Sequence, residues 1–332
     1  MSPANPLTGG IATGIGSMPG TDPLVAARSA FDEVALPFVP ELPARGAGSD
    51  MVGRAAGLLV DIPMDTALGG YRLTAGRSRL TTRADGFLRA DFDAVEEVLE
   101  RSGSSAPVKL SAIGPFTLSA LVELPGGHKI VHDAGAVRDV VASLAEGIAQ
   151  RADDLARRTG SDVVVQIDEP MIGRVVDGHI APLTRLDINR AIPAPDVAAA
   201  LETVAARIGR PMVLHNCAQP RWDLIDRLPS YAVSLDVTGI TVDDYDALGG
   251  FLDRGGVLVA GVVPTEKPVA ALSADDTATR LVELTDRIGL PRRVVVDQVL
   301  VSPTCGLAGA RDWAPRALAL STSVADQLRN VD

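Results

Sequence analysis

Short, uninterrupted runs of Val, Ile, Leu and Ala recur along the chain, and segments with helical spacing separate most of them. Eight runs stand out: residues 11–16, 37–41, 108–113, 163–168, 212–217, 231–237, 256–263 and 293–301. Most are apolar throughout instead of alternating, the pattern of parallel strands covered on both faces. Residues 137–158, 194–208 and 276–288 space apolar side chains three and four apart, which predicts helices. Eight strands alternating with helices predict an α/β fold, a (β/α)8 TIM barrel, with a doubly wound sheet as the alternative. The polar, Gly- and Arg-rich stretch 66–91 predicts a hairpin inserted in the second βα connection, with residues 71–74 and 79–82 as its arms. No repeat or low-complexity linker divides the chain, so residues 1–332 read as a single domain. Residues 14–20 space their glycines as G-x-G-x-x-x-G with a proline inside, which does not fit a dinucleotide-binding loop.

Charge and composition narrow the function. The 332 residues carry 31 Lys and Arg against 42 Asp and Glu, a formal charge of −11 that excludes the basic face nucleic acid needs. An anionic membrane surface is excluded on the same ground. No apolar run reaches the roughly 18 residues of a membrane span. No Lys or Arg precedes Arg28, so no secretory signal is expected. Two cysteines are too few for a disulfide framework, and the cytoplasm is the simplest compartment for their thiols.

Chemistry in such barrels collects at the C-terminal ends of the strands. There the sequence offers Ser17, Glu41, Asp168-Glu169-Pro170, His215 with Cys217, Asp236 and Cys305. His215 and Cys217 are two apart and share a face of an extended strand. Together with Asp236 and Cys305 they make a set for one ion, and thiolates with imidazole select zinc. A substrate thiol entering such a site loses its proton and becomes nucleophilic. Against this, each cysteine alone reads as a small buried hydrophobe and His215 as a hydrogen-bonded core residue. Asp168-Glu169 offers a substrate ammonium a carboxylate, or else caps a helix or closes a rim ion pair. Ser17 and the backbone of the 16–20 turn offer donors to a substrate carboxylate; as the alternative, Ser17 caps the helix after Asp22.

These pieces, in this order, resemble a known family. Ile15-Gly16-Ser17-Met18-Pro19, Asp50-Met51-Val52, Gly114-Pro115-Phe116-Thr117, Gln166-Ile167-Asp168-Glu169-Pro170, His215-Asn216-Cys217, Ser234-Leu235-Asp236 and Cys305-Gly306-Leu307 are similar to the C-terminal catalytic barrel of cobalamin-independent methionine synthase. The resemblance implies a zinc-dependent methyltransferase that methylates homocysteine. His215, Cys217 and Cys305 stand at its zinc ligands, and Asp236 stands where the family has a glutamate. Asp168 stands at the residue holding the homocysteine amine, Ser17 and the Ile15 backbone at its carboxylate site, and Glu41 at a further substrate-binding glutamate.

Two departures concern the methyl donor. The family's acid, a histidine at the end of strand seven, has no counterpart around Gly261. The related N-terminal barrel that helps hold polyglutamyl folate is also missing from these 332 residues. Shorter relatives of this family take their methyl group from a methylated corrinoid, whose leaving group needs no proton. The expected partners are therefore a homocysteine-like thiol and a corrinoid protein, with methyltetrahydrofolate as the other donor. Alkyl transfer to a different thiol and a non-catalytic zinc- or homocysteine-binding barrel are the remaining readings.

Overall fold

The computed structural model describes residues 6–184 and 191–330. Its centre is a six-stranded parallel sheet: β3 (Val108–Ile113), β4 (Val163–Asp168), β5 (Met212–Asn216), β6 (Tyr231–Asp236), β7 (Leu258–Val263) and β8 (Val299–Pro303), neighbours in that order. A separate two-stranded hairpin, β1 (Met64–Ala67) with β2 (Gly70–Leu73), precedes it. The helices are α1 (Pro23–Glu33), α2 (Met51–Arg54), α3 (Arg79–Ser102), α4 (Pro115–Leu121), α5 (Ala134–Thr159), α6 (Ile172–Val176), α7 (Ala194–Ile208), α8 (Trp222–Ile225), α9 (Tyr245–Asp253), α10 (Ala274–Arg287), α11 (Arg293–Gln298) and α12 (Ala314–Leu328).

Alternation along the strands sorts the interior into layers. Val164, Val213, Ala232, Val259 and Leu300 pack with Leu7 and Leu36 into a small apolar cluster, one residue from each of five strands. Their strand neighbours Val163 and Val165, Met212 and Leu214, Val233, Leu258 and Val299 point the other way, into the larger clusters beneath the helices. Two residues further along each strand the apolar floor gives way to Gln166, His215, Ser234, Gly261 and Ser302, with Ser111 in register beside Gln166. These polar groups thus hang above an apolar base, on the strands themselves.

Six of the eight expected strands form this sheet. Segments 11–16 and 37–41 enter through isolated parallel bridges: Ala12 with Val301, Thr13 with Leu36, Phe38 with Lys109 and Ser17 with Glu41. Pro37 and Pro40 have no N–H to give a ladder, and Gly14 and Gly16 weaken an extended segment. Residues 293–298 read as strand but coil into α11, which buries Val294 and Val295, so β8 starts only at Val299. Here packing overrides the β-branched composition. Residues 79–82 are the first turn of α3, capped by the Ser78 hydroxyl on the Thr81 N–H, and the hairpin's true arms are β1 and β2. The Tyr71 hydroxyl ties that hairpin to Asp50, which also caps α2 through the Gly53 N–H. Asp22, not Ser17, caps α1, accepting from the Leu24 and Val25 N–H groups.

Candidate active site

At the C-terminal ends of the strands lies a cavity of about 230 Å³, bordered by Ile15, Ser17, Glu41, Met51, Asp168, Pro170, His215, Cys217, Cys305 and Gly306. Ile15, Ser17, Glu41, Asp168, His215, Cys217 and Cys305, all singled out from sequence, meet here. Ligand atoms of His215, Cys217 and Cys305 lie within 4.8 Å of one another, the one such group among the described residues. His215 sits on β5, while Cys217 is the first residue beyond it and Cys305 follows β8.

The surroundings of these three suit a cation. His215 is 3% exposed, and its Nδ1 lies 3.0 Å from the Ser234 hydroxyl, which fixes the ring. Its Nε2 is buried with no partner, an arrangement that costs free energy unless a ligand completes it. The neighbouring Cys217, and then His215, hold the Cys305 thiol down to about 4. The same contact, and then burial, pushes the Cys217 thiol far above the usual range. Two soft sulfurs and an imidazole nitrogen are a donor set for zinc. Asp236 lies apart from this group: its Oδ1 accepts from the Thr238 N–H at 2.9 Å and hydroxyl at 2.6 Å, and it borders a smaller neighbouring hollow with Cys217.

The opposite wall is acidic. Asp168 is 6% exposed, and its Oδ1 accepts from Gln166 Nε2 at 2.7 Å. Burial, then the nearby Glu41 carboxylate, pushes its pKa well up. Glu41 is pushed up by burial too, against the pull of Arg54, whose Nε stands 3.3 Å from Glu41 Oε1. Arg54 continues to Asp91 at 2.7 Å, and Asp91 takes both ends of the Arg45 guanidinium at 2.7 and 2.9 Å. This buried chain of charges carried no motif in the sequence. Asp168 and Glu169 part company as alternation requires. Glu169 leaves the cavity and caps α4, accepting from the Phe116 N–H at 2.8 Å, the Thr117 N–H at 2.7 Å and the Thr117 hydroxyl at 2.6 Å.

Two glycines shape the rim. A Cβ on Gly306 would stand 1.9 Å from Ser17 Oγ, so only glycine there leaves the hydroxyl in place. Gly261 lies at a register shift between β7 and β8, and a Cβ on it would fall 2.8 Å from Thr304 Cα and 3.0 Å from the Leu235 carbonyl. No acid side chain fits at that position. A larger cavity of about 940 Å³ lies elsewhere, against α5 and α7, and shares no bordering residue with the first. Among the described residues, no helix is long and apolar enough to cross a membrane.

No curated protein matches the sequence. Among solved structures, a B12-independent methionine synthase from Shewanella sp. W3-18-1, in complex with selenomethionine, superposes with a TM-score of 0.60 at 12% identity, covering 96% of this chain and 97% of that one. A methyltransferase from Methanosarcina mazei superposes at 0.55 with 15% identity, covering 99% and 94%. At such identities the likeness is one of fold. The family described as the catalytic domain of cobalamin-independent synthase matches residues 11–327, and the chain therefore belongs to that family, the methyltransferases of methionine-synthase type.

Proposed function

We propose that the protein is a zinc-dependent S-methyltransferase that converts homocysteine to methionine. The observation that carries this reading is the buried, unpartnered Nε2 of His215 facing two cysteine sulfurs beside an acidic wall. Bound by His215, Cys217 and Cys305, zinc supplies a Lewis-acidic centre that lowers the pKa of a substrate thiol. The chain's own groups do the rest. Asp168 and Glu41 receive the substrate ammonium, which offsets the hydration their carboxylates lost on burial. Ser17 and the backbone at Ile15 receive the carboxylate. Held so, the sulfur forms its bond to the methyl carbon as the donor's bond breaks and the electron pair leaves with the donor; the thiol proton passes to solvent. Proximity supplies much of the acceleration. Asp236 would join these ligands only if its carboxylate turned from Thr238.

The closed space at Gly261 supports a donor whose leaving group needs no proton, a methylated corrinoid on a partner protein, over methyltetrahydrofolate. The parallel bridges through residues 12–13 and 36–41 support reading the whole chain as one closed eight-stranded barrel, with β1–β2 inserted in its second connection. Two free thiols at the site fit the cytoplasm.

Metal analysis followed by homocysteine titration tests the reading. About one zinc per chain is expected, with about one proton released as the thiol binds near neutral pH. Cys217→Ser or Cys305→Ser should lose the metal. Retention of stoichiometric zinc by either variant, or wild-type protein that cannot be loaded, sinks the assignment.

A further inference from the structure

A lysine lies beneath the cavity, and the proposed reaction gives it no part. Lys109, the second residue of β3, is 1% exposed and stands in register with Val164 of the apolar floor. Its Nζ reaches the Gly14 carbonyl at 2.5 Å, the Ile15 carbonyl at 3.4 Å and Gln166 Oε1. Three oxygens around one nitrogen match an ammonium, which has three N–H donors and no acceptor; a neutral amine has only two. Burial pushes its pKa down to about 7 while the Asp168 and Glu41 carboxylates pull it back up.

This cation decides which way Gln166 faces. Because Nζ only donates, it takes the amide oxygen, and the NH2 end is left to Ile15 O and Asp168 Oδ1, each at 2.7 Å. The Ser111 hydroxyl adds a third donor to Ile15 O at 2.9 Å. Among the described residues, no cation pairs directly with Asp168. A lysine touching that carboxylate would compete with a substrate ammonium. One amide of separation lets the lysine orient Asp168 without occupying it.

We propose that Lys109 is a positioning residue for substrate recognition: through Gln166 it pins one oxygen of Asp168 and leaves the other to the substrate amine. The proposal rests on the reading of homocysteine as substrate. Its signature is selectivity for the amine, which general loosening of the barrel would not produce.

The test is calorimetric titration of zinc-loaded protein with homocysteine and with 4-mercaptobutyrate, which has the same thiol and carboxylate but no amine. Lys109→Met should weaken homocysteine binding by at least about tenfold and 4-mercaptobutyrate binding by less than about twofold. Added to Asp168→Asn, it should cost little more than Asp168→Asn alone, because both act through one contact. Gln166→Met cuts the link while leaving Lys109 in place, and should reproduce the selective loss if Lys109→Met does not fold. Equal losses for both thiols, no loss for either, or failure of both variants to fold would overturn the proposal. Wild-type protein that loads zinc but ignores homocysteine would instead remove the functional reading, and this inference with it.

Discussion

Asp91→Asn has the clearest expected cost. The Asp91 side chain has no exposed surface, and it joins Arg45 and Arg54, whose side chains are 8% and 2% exposed. Asparagine keeps the volume but removes the charge and turns an NH2 toward a guanidinium. Two buried cations are then left with half a partner, and Arg54 Nη2 already has none. Breaking a buried ion pair in this way costs about 3–5 kcal/mol. With about 2 cal/mol/K of unfolding entropy per residue, a 332-residue chain should lose about 4–7 °C in Tm. Scanning calorimetry at neutral pH reads this directly. The exposed pair Arg254–Asp226, with side chains 59% and 48% exposed, serves as an internal control, and its loss should move Tm by less than about 1 °C. Because Arg54 also reaches Glu41, Asp91→Asn should weaken homocysteine binding as well. An Asp91→Asn shift no larger than that of the surface control would refute the argument.

Three further outcomes follow from the geometry. Gly306→Ala should displace the Ser17 hydroxyl and weaken homocysteine binding about tenfold while sparing 3-aminopropanethiol, which has no carboxylate; equal effects on both would remove Ser17 from the carboxylate site. Asp168→Asn should weaken homocysteine far more than 4-mercaptobutyrate, and a variant that treats the two alike would point to a substrate without an amine. Burial pushes Glu169 up to about 7, against the hydrogen bonds it accepts, so this group favours the fold most below its unfolded pKa, and that contribution fades as pH rises to 7. Between pH 5.5 and 8 wild type should therefore lose about 2 kcal/mol relative to Glu169→Gln, and denaturation curves that keep a constant separation would contradict it.

The sequence displayed the chemistry better than the charge network that holds it. Cysteine and histidine are rare in this chain, so their placement at strand ends was conspicuous. β3 and β4 were legible to the residue because their apolar runs stop abruptly at Gly114 and at Glu169-Pro170. The 293–298 segment misled because three consecutive valines favour a strand while its packing favours a helix. Lys109 carries a signal of its own, which Gln166 shares: a lysine or a glutamine inside an otherwise buried strand must point to something polar. Glu169 was likewise separable from Asp168, since adjacent strand residues face opposite sides. Arg54 and Asp91 gave no such sign, because their pairing spans 37 positions and depends on how α2 and α3 meet.

Gly261 limits what can be built at this end of the sheet. A side chain introduced there, a histidine included, would meet the Thr304 backbone and the Leu235 carbonyl, which already occupy the space its Cβ would need. Placing a histidine there requires β7 to move away from β6 and from the end of β8, and strands so separated lose packing before any new group can act. Packing around Gly261, more than the chemistry of any one side chain, therefore sets what this end of the sheet can accept.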